Sequence, residues 1–133
     1  MLSIIPAFLI FFSSFLQDPS GSWIRSSESA SIVFYFKSKY LSKVDSKITI
    51  WIKQVPKNLE EQDGKKIAYA LSLLECDCNN ISYRRYSVVK YSENGDVIYS
   101  GDYKDPEISY NAPGSVGYGY IEDICQRFNK KKK

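Results

Sequence analysis

Ala112-Pro113-Gly114-Ser115-Val116-Gly117-Tyr118-Gly119-Tyr120-Ile121-Glu122-Asp123-Ile124-Cys125-Gln126-Arg127-Phe128 is the stretch of this 133-residue chain where a stop signal, a helix start, an apolar stripe and a cysteine fall in order. Pro113 and Gly114 break what precedes them. Ser115 suits an N-cap, because its hydroxyl accepts from a first-turn amide that has no helical partner. Ile121, Ile124, Cys125 and Phe128 recur at helical spacing and share one face, which must cover another element. Gly117 and Gly119 weaken the helix by up to about 1 kcal/mol each.

Working back from this helix, the chain supplies strands for it to cover. Lys47 to Val55 alternates cleanly, with Ile48, Ile50 and Ile52 on one side and Thr49, Trp51 and Lys53 on the other. Pro56 ends the run, since proline cannot donate to a ladder. Ile32-Val33-Phe34-Tyr35-Phe36 is β-branched and aromatic throughout, the composition of a strand buried on at least one face. Trp23-Ile24-Arg25 is a short apolar and polar piece before a Ser-rich turn from Ser26 to Ser31. Lys37 to Asp45 reads as a turn or one loose helical turn, and Lys57 to Lys66 as a charged loop turning at Asp63-Gly64.

Ile67 to Cys78 fits a helix through Ile67, Ala70, Leu71, Leu74 and Cys78, and fits a strand equally well, so periodicity leaves it open. Ser82 to Ser92 and Val97 to Tyr103 flank Glu93-Asn94-Gly95-Asp96, and Asn-Gly between two such runs is a strong hairpin signal. A two-residue loop sets Tyr91 across from Ile98 and Lys90 across from Tyr99. Neither face is then uniformly apolar, which leaves a bulge or a longer loop as the alternative register. Lys104 to Asn111, with Pro106, is an irregular link into the helix.

The net charge of +3 includes Lys130 to Lys133, so the rest of the chain sums to −1. Nucleic-acid binding calls for Lys and Arg clustered among stacking aromatics, and this near-neutral mixture argues against it. The sequence holds no histidine, which removes the commonest general base and the commonest metal ligand, and no cofactor motif takes its place. Leu2 to Leu16 is apolar and uncharged, shorter than the roughly 20 residues of a membrane-spanning helix and suited to the core of an export signal. No basic residue precedes Arg25 and no Ala-x-Ala-like site follows. A buried N-terminal helix is the other reading, against which stand Pro6 and the polar shift at Asp18-Pro19-Ser20-Gly21-Ser22. The expected organisation is therefore a leader over 1–21, one domain over 22–129 and a solvated lysine tail over 130–133, with no membrane span once the leader is removed.

Three cysteines in an exported chain suggest one disulfide and one thiol left over. Cys76 and Cys78 share a face if they lie in a strand and are poorly placed to bond each other, so Cys125 is the natural partner of one of them. Such a bridge closes a loop of about 50 residues and stabilises by about 4 kcal/mol in the chain-entropy model. As a zinc site the three cysteines are one ligand short and wrongly spaced.

In order, Trp23, the Ile48–Lys53 strand, Asp77-Cys78 with Tyr83-Arg84 following, the Tyr91-x-x-x-Gly95-x-Val97-Ile98 hairpin and Pro113-Gly114-Ser115-Val116-Gly117 leading to Cys125 resemble the bacterial surface-adhesin protein E-like domains. The resemblance spans about residues 22 to 128. It implies an α+β fold, a single antiparallel sheet of about five to six strands packed against a C-terminal helix, with Ile67 to Cys78 as strand. It also implies a disulfide from Cys78 to Cys125, with Cys76 additional to that pair as a free thiol, and a place in the periplasm, at the cell surface or outside the cell. Tyr118 stands where similar proteins tend to carry Glu, so Ser115 lacks a capping-box partner.

The function expected is a non-catalytic exported interaction domain, adhesin-like, with host matrix or envelope proteins as partners. Tyr103, Tyr110, Tyr118 and Tyr120 flank the irregular link and form its candidate partner surface; half-buried packing is the plainer account of the same rings. A small hydrolase would have to draw on Glu122 with Asp123, or Asp102 with Asp105. Adjacent helical carboxylates do not converge, and the second pair lies by a turn. Cys76 as a nucleophile has no histidine to activate it. A structural envelope component or an inhibitor acting by shape is the remaining alternative.

Overall fold

In the computed structural model, which describes residues 22–58 and 60–129, the alternating run becomes the central strand of one antiparallel sheet. The leader over 1–21 and the tail over 130–133 lie outside the described residues. The strands are β1 (Trp23–Glu28), β2 (Ile32–Lys37), β3 (Ser42–Val44), β4 (Lys47–Pro56), β5 (Glu60–Gln62), β6 (Lys65–Asp77), β7 (Ser82–Ser92), β8 (Val97–Asp102) and β9 (Ser109–Tyr110), followed by the helix α1 (Val116–Phe128).

The main path runs β1-β2-β4-β6-β7-β8. The expectation of five to six strands covers this path and misses three short pieces, which bring the sheet to nine among the described residues. Each is anchored by its register. Lys43 of β3 lies across Ile48 from Cys76, Glu60 of β5 lies across Ile67 from Ser92, and Tyr110 of β9 lies across Ser82 from Asp77. They fill edge positions that a longer neighbour leaves unpaired, and a run of only two or three residues carries no periodicity that announces this. The Ser26–Ser31 turn is likewise shorter than expected, because β1 continues through Glu28 over an irregularity between Arg25 and Glu28. At Asp63 and Gly64 the charged loop folds into a hairpin in which both residues take positive φ, 55° and 77°.

The β7–β8 hairpin keeps one expected pair and shifts the other. Lys90 faces Tyr99, but a bulge places Tyr91 across from Val97 instead of Ile98. The loop is longer than Asn94-Gly95 alone: Ser92 N–H donates to Asp96 O at 2.8 Å, and the positive φ falls on Gly95.

The core lies between α1 and one face of the sheet. Phe36, Ile48, Ile50, Ile52, Leu74 and Cys76 meet Tyr120, Ile121, Ile124 and Cys125 there. Ser115 caps the helix as expected, its Oγ accepting from Tyr118 N–H at 3.1 Å. Cys78 and Cys125 are disulfide-bonded with their Cα atoms 5.7 Å apart, tying the far end of β6 to the helix. Ile81 follows with φ 52° while its side chain packs against the core. A β-branched residue takes that conformation only where its surroundings hold it, here beside the bridge.

Candidate functional site

Tyr120 does not belong to an exposed surface. It is 3% exposed, its ring lies 4.9 Å from Phe34, and its hydroxyl donates to the Tyr35 carbonyl. One position before Ile121, it widens the buried helical stripe because an aromatic ring reaches the sheet from a flanking position. Tyr103 and Tyr110, 42% and 68% exposed, stand along one edge of β7, the first with its N–H on Tyr86 O and the second across from Ser82. The Tyr103 hydroxyl hydrogen-bonds with that of Tyr99, which raises the Tyr99 pKa above its ordinary value. Tyr118 is half-buried in the first turn of α1.

The groups that a catalytic reading would use are scattered. Glu122, Asp123, Asp102 and Asp105 are all exposed, and Asp123 accepts from Ser26 Oγ at 2.5 Å. Cys76 carries a free thiol with no exposure, and burial, reinforced by Glu75, pushes its pKa up to about 12. A thiol in that environment stays protonated near neutral pH, unlike the exposed, low-pKa thiols that serve as nucleophiles. Among the described residues no group of three Cys, Asp or Glu side chains is arranged to hold a metal, and no helix is long and apolar enough to cross a membrane.

The face of the sheet that α1 does not cover carries a cluster that the sequence reading passed over. Alternation in β4 turns Ile48, Ile50 and Ile52 to the helix and therefore turns Trp51 and Lys53 to the other side. On that side Lys53 sits between Tyr35 of β2 and Leu71 of β6. Its ammonium lies 4.9 Å from the Tyr69 ring centroid, 5.5 Å from Trp23 and 5.9 Å from Tyr35. Tyr69 in turn stacks on Tyr91 of β7, with centroids 4.8 Å apart. The Lys37 ammonium lies 5.0 Å from the Trp23 ring centroid. Its pKa is lowered by burial first and by the field of Lys53 second, the sign of two cations crowded onto one aromatic surface. The opposite sides of Trp51 and Lys53 were visible in the alternation; Trp23, Tyr35 and Tyr69 reach Lys53 from three other strands, which no local pattern reveals.

A second feature lies on the helix side. Arg85 and Asn111 line a cavity of about 190 Å³ beside Gly117 in the first turn of α1. Among the described residues, the Nε of Arg85 and the Nδ2 of Asn111 are buried without a hydrogen-bond partner. Such donors are uncommon in native interiors and each costs on the order of 1–3 kcal/mol.

Comparison with known proteins agrees with this architecture. The chain superposes on the solved structure of Haemophilus influenzae protein E with a TM-score of 0.59 at 13% identity, covering 87% of this chain and 92% of that one. At that identity the likeness is one of fold. A search of curated proteins finds none that matches. The sequence pattern of the surface-adhesin protein E family matches residues 23–126, from the first residue of β1 almost to the end of α1. The chain therefore belongs to the surface-adhesin protein E family.

Proposed function

We propose that this protein is a non-catalytic, exported interaction module, located at the cell surface or in the envelope, that engages a partner protein through the uncovered face of its sheet. Family membership supports an adhesin-like role. The Cys78–Cys125 bridge fits an oxidising compartment outside the cytosol, and the apolar leader over 1–21 fits export. The observation that carries the reading is the cluster around Lys53, with the rings of Trp23, Tyr35 and Tyr69 all within 6 Å of its ammonium on the face that α1 leaves open. Half-buried Trp and Tyr present large contact area with few rotamers to order, which is why such rings dominate binding energy at interfaces. Lys53 sets a positive charge among these rings, so the complementary partner brings carboxylates flanked by apolar side chains. Family membership directs the search to matrix proteins of a host and to proteins of the envelope.

The test presents the purified protein to a panel of matrix proteins and to envelope extract, and compares Lys53→Glu and Tyr69→Ala with Tyr110→Ala on the β7 edge. Loss of binding by about tenfold or more in the first two, with Tyr110→Ala near the parent, is the expected result. Full binding by a folded Lys53→Glu protein would overturn the surface. The absence of any partner from either source would favour a purely structural envelope role.

A further inference from the structure

The cavity beside α1 lies on the opposite side of the sheet from the aromatic cluster and has its own chemistry. Arg85 reaches it through a bulge. Leu73 pairs with Ser87 and Leu74 with Arg85, so Tyr86 is the extra residue and Arg85 is turned onto the helix side next to Leu74. A regular ladder would have put Tyr86 there. The guanidinium stays near the Tyr83 ring, 5.9 Å from its centroid, while Nε is buried with no acceptor. Asn111 arrives from the link after β9 and fits only because α1 has a glycine opposite. A Cβ on Gly117 would stand 2.6 Å from Asn111 Oδ1, so the missing side chain is what admits the amide. Its Nδ2 is the second buried donor without a partner.

The rest of the lining decides what would take these donors. Phe34, Ile52, Leu74 and Ile121 make an apolar wall, Gln54, Tyr83 and Tyr120 complete the lining, and among the described residues no carboxylate lines the cavity. One guanidinium supplies one positive charge, and its Nε edge and the Asn111 amide are donors suited to a planar pair of acceptor oxygens. The volume of about 190 Å³ exceeds the roughly 150 Å³ of an engineered cavity that accommodates benzene. We infer that this cavity binds a small monocarboxylate of about the size of benzoate, its carboxylate taking the free donors of Arg85 and Asn111 and its apolar body lying against Phe34, Ile52 and Leu74. A free acid and the C-terminal carboxylate of a partner's chain share this chemistry.

The experiment titrates benzoate into the purified, oxidised protein and follows the Arg85 Nε–H and Asn111 side-chain amide resonances. Saturable shifts of both are expected, with benzamide, Arg85→Met and Asn111→Ala each weakening binding by about tenfold or more. A short peptide ending in phenylalanine, titrated in parallel, separates the two sources: tighter binding of the peptide assigns the site to a chain terminus, and tighter binding of benzoate to a free acid. Near-UV circular dichroism checks that each variant retains its packing. The proposal is overturned if neither compound shifts these resonances at tens of millimolar, if benzamide binds as well as benzoate, if both folded variants bind as well as the parent, or if phosphate competes as well as benzoate. None of these outcomes involves Lys53, so the cavity and the outer face succeed or fail separately.

Discussion

The hydroxyl of Tyr120 donates to the main-chain carbonyl of Tyr35, joining the helix to the strand whose own tyrosine side chain stands beside Lys53 on the far face of the sheet. The bond pins α1 at its N-terminal half, and the Cys78–Cys125 bridge pins it one and a half turns later. Tyr120→Phe removes the donor and keeps the ring against Phe34, so it should destabilise by about 1–2 kcal/mol. Chemical denaturation with an unchanged denaturant slope is the appropriate measurement.

Breaking the bridge should have the larger effect. Its residues are 47 apart in sequence, and releasing a loop of that length costs about 4 kcal/mol in the chain-entropy model. Cys125→Ser, or reduction of the parent protein, is expected to lower the denaturation midpoint accordingly. A midpoint unchanged within error would show that the packing of Ile121 and Ile124 holds the helix without the bridge.

Thiol counting separates the cysteines. Native protein near pH 8 should show no thiol accessible to an aromatic disulfide reagent, because Cys76 is buried and its pKa stands at about 12. One thiol should appear on unfolding, and three after unfolding with reduction.

Alkaline pH should destabilise the fold. The Cys76 thiol rises from an ordinary value of 9.0 to about 12 on burial, and burial followed by the field of Cys76 also raises the Tyr120 hydroxyl well above its ordinary 10.0. Each group binds its proton more tightly in the folded protein than in the unfolded chain. The stability it contributes is complete below its unfolded pKa and is lost as pH climbs towards the folded one. Between pH 9 and 12 the stability should therefore fall by up to about 1.4 kcal/mol per pH unit for each group titrating. Cys76→Ala should flatten the curve most between pH 9 and 10, where the Tyr120 hydroxyl, with its ordinary value of 10.0, has only begun to contribute.

The two helical glycines should respond differently to alanine. Among the described residues nothing lies within 4 Å of a Cβ at Gly119, so Gly119→Ala should stabilise by up to about 1 kcal/mol through helix propensity. At Gly117 the same Cβ would meet Asn111 Oδ1, and the amide must leave its place. Thermal melts of the pair should show Gly119→Ala above the parent and Gly117→Ala below Gly119→Ala.

Part of the order of elements was legible in the chain, where it rests on local physics, but Ile67 to Cys78, which periodicity left open, is strand β6 through Asp77. Alternation in Ile48–Ile52 needs only a pleat, the Ile121, Ile124 and Cys125 stripe needs only the helical repeat, and Ser115 needs only an unpaired amide to cap. The helix N-cap, the central strand and the inward side of β4 could all be read from these. What only the tertiary structure decided is everything set by neighbours distant in sequence. The three short strands exist because a longer neighbour offers them an unpaired edge, and the inward turn of Arg85 follows from one extra residue in β7 relative to β6. Tyr120 is buried because Phe34 and the Tyr35 carbonyl stand opposite it, and Lys53 is ringed by aromatics because four strands bring them together. A strand's period places a side chain on one face or the other, and register between strands determines what it meets there.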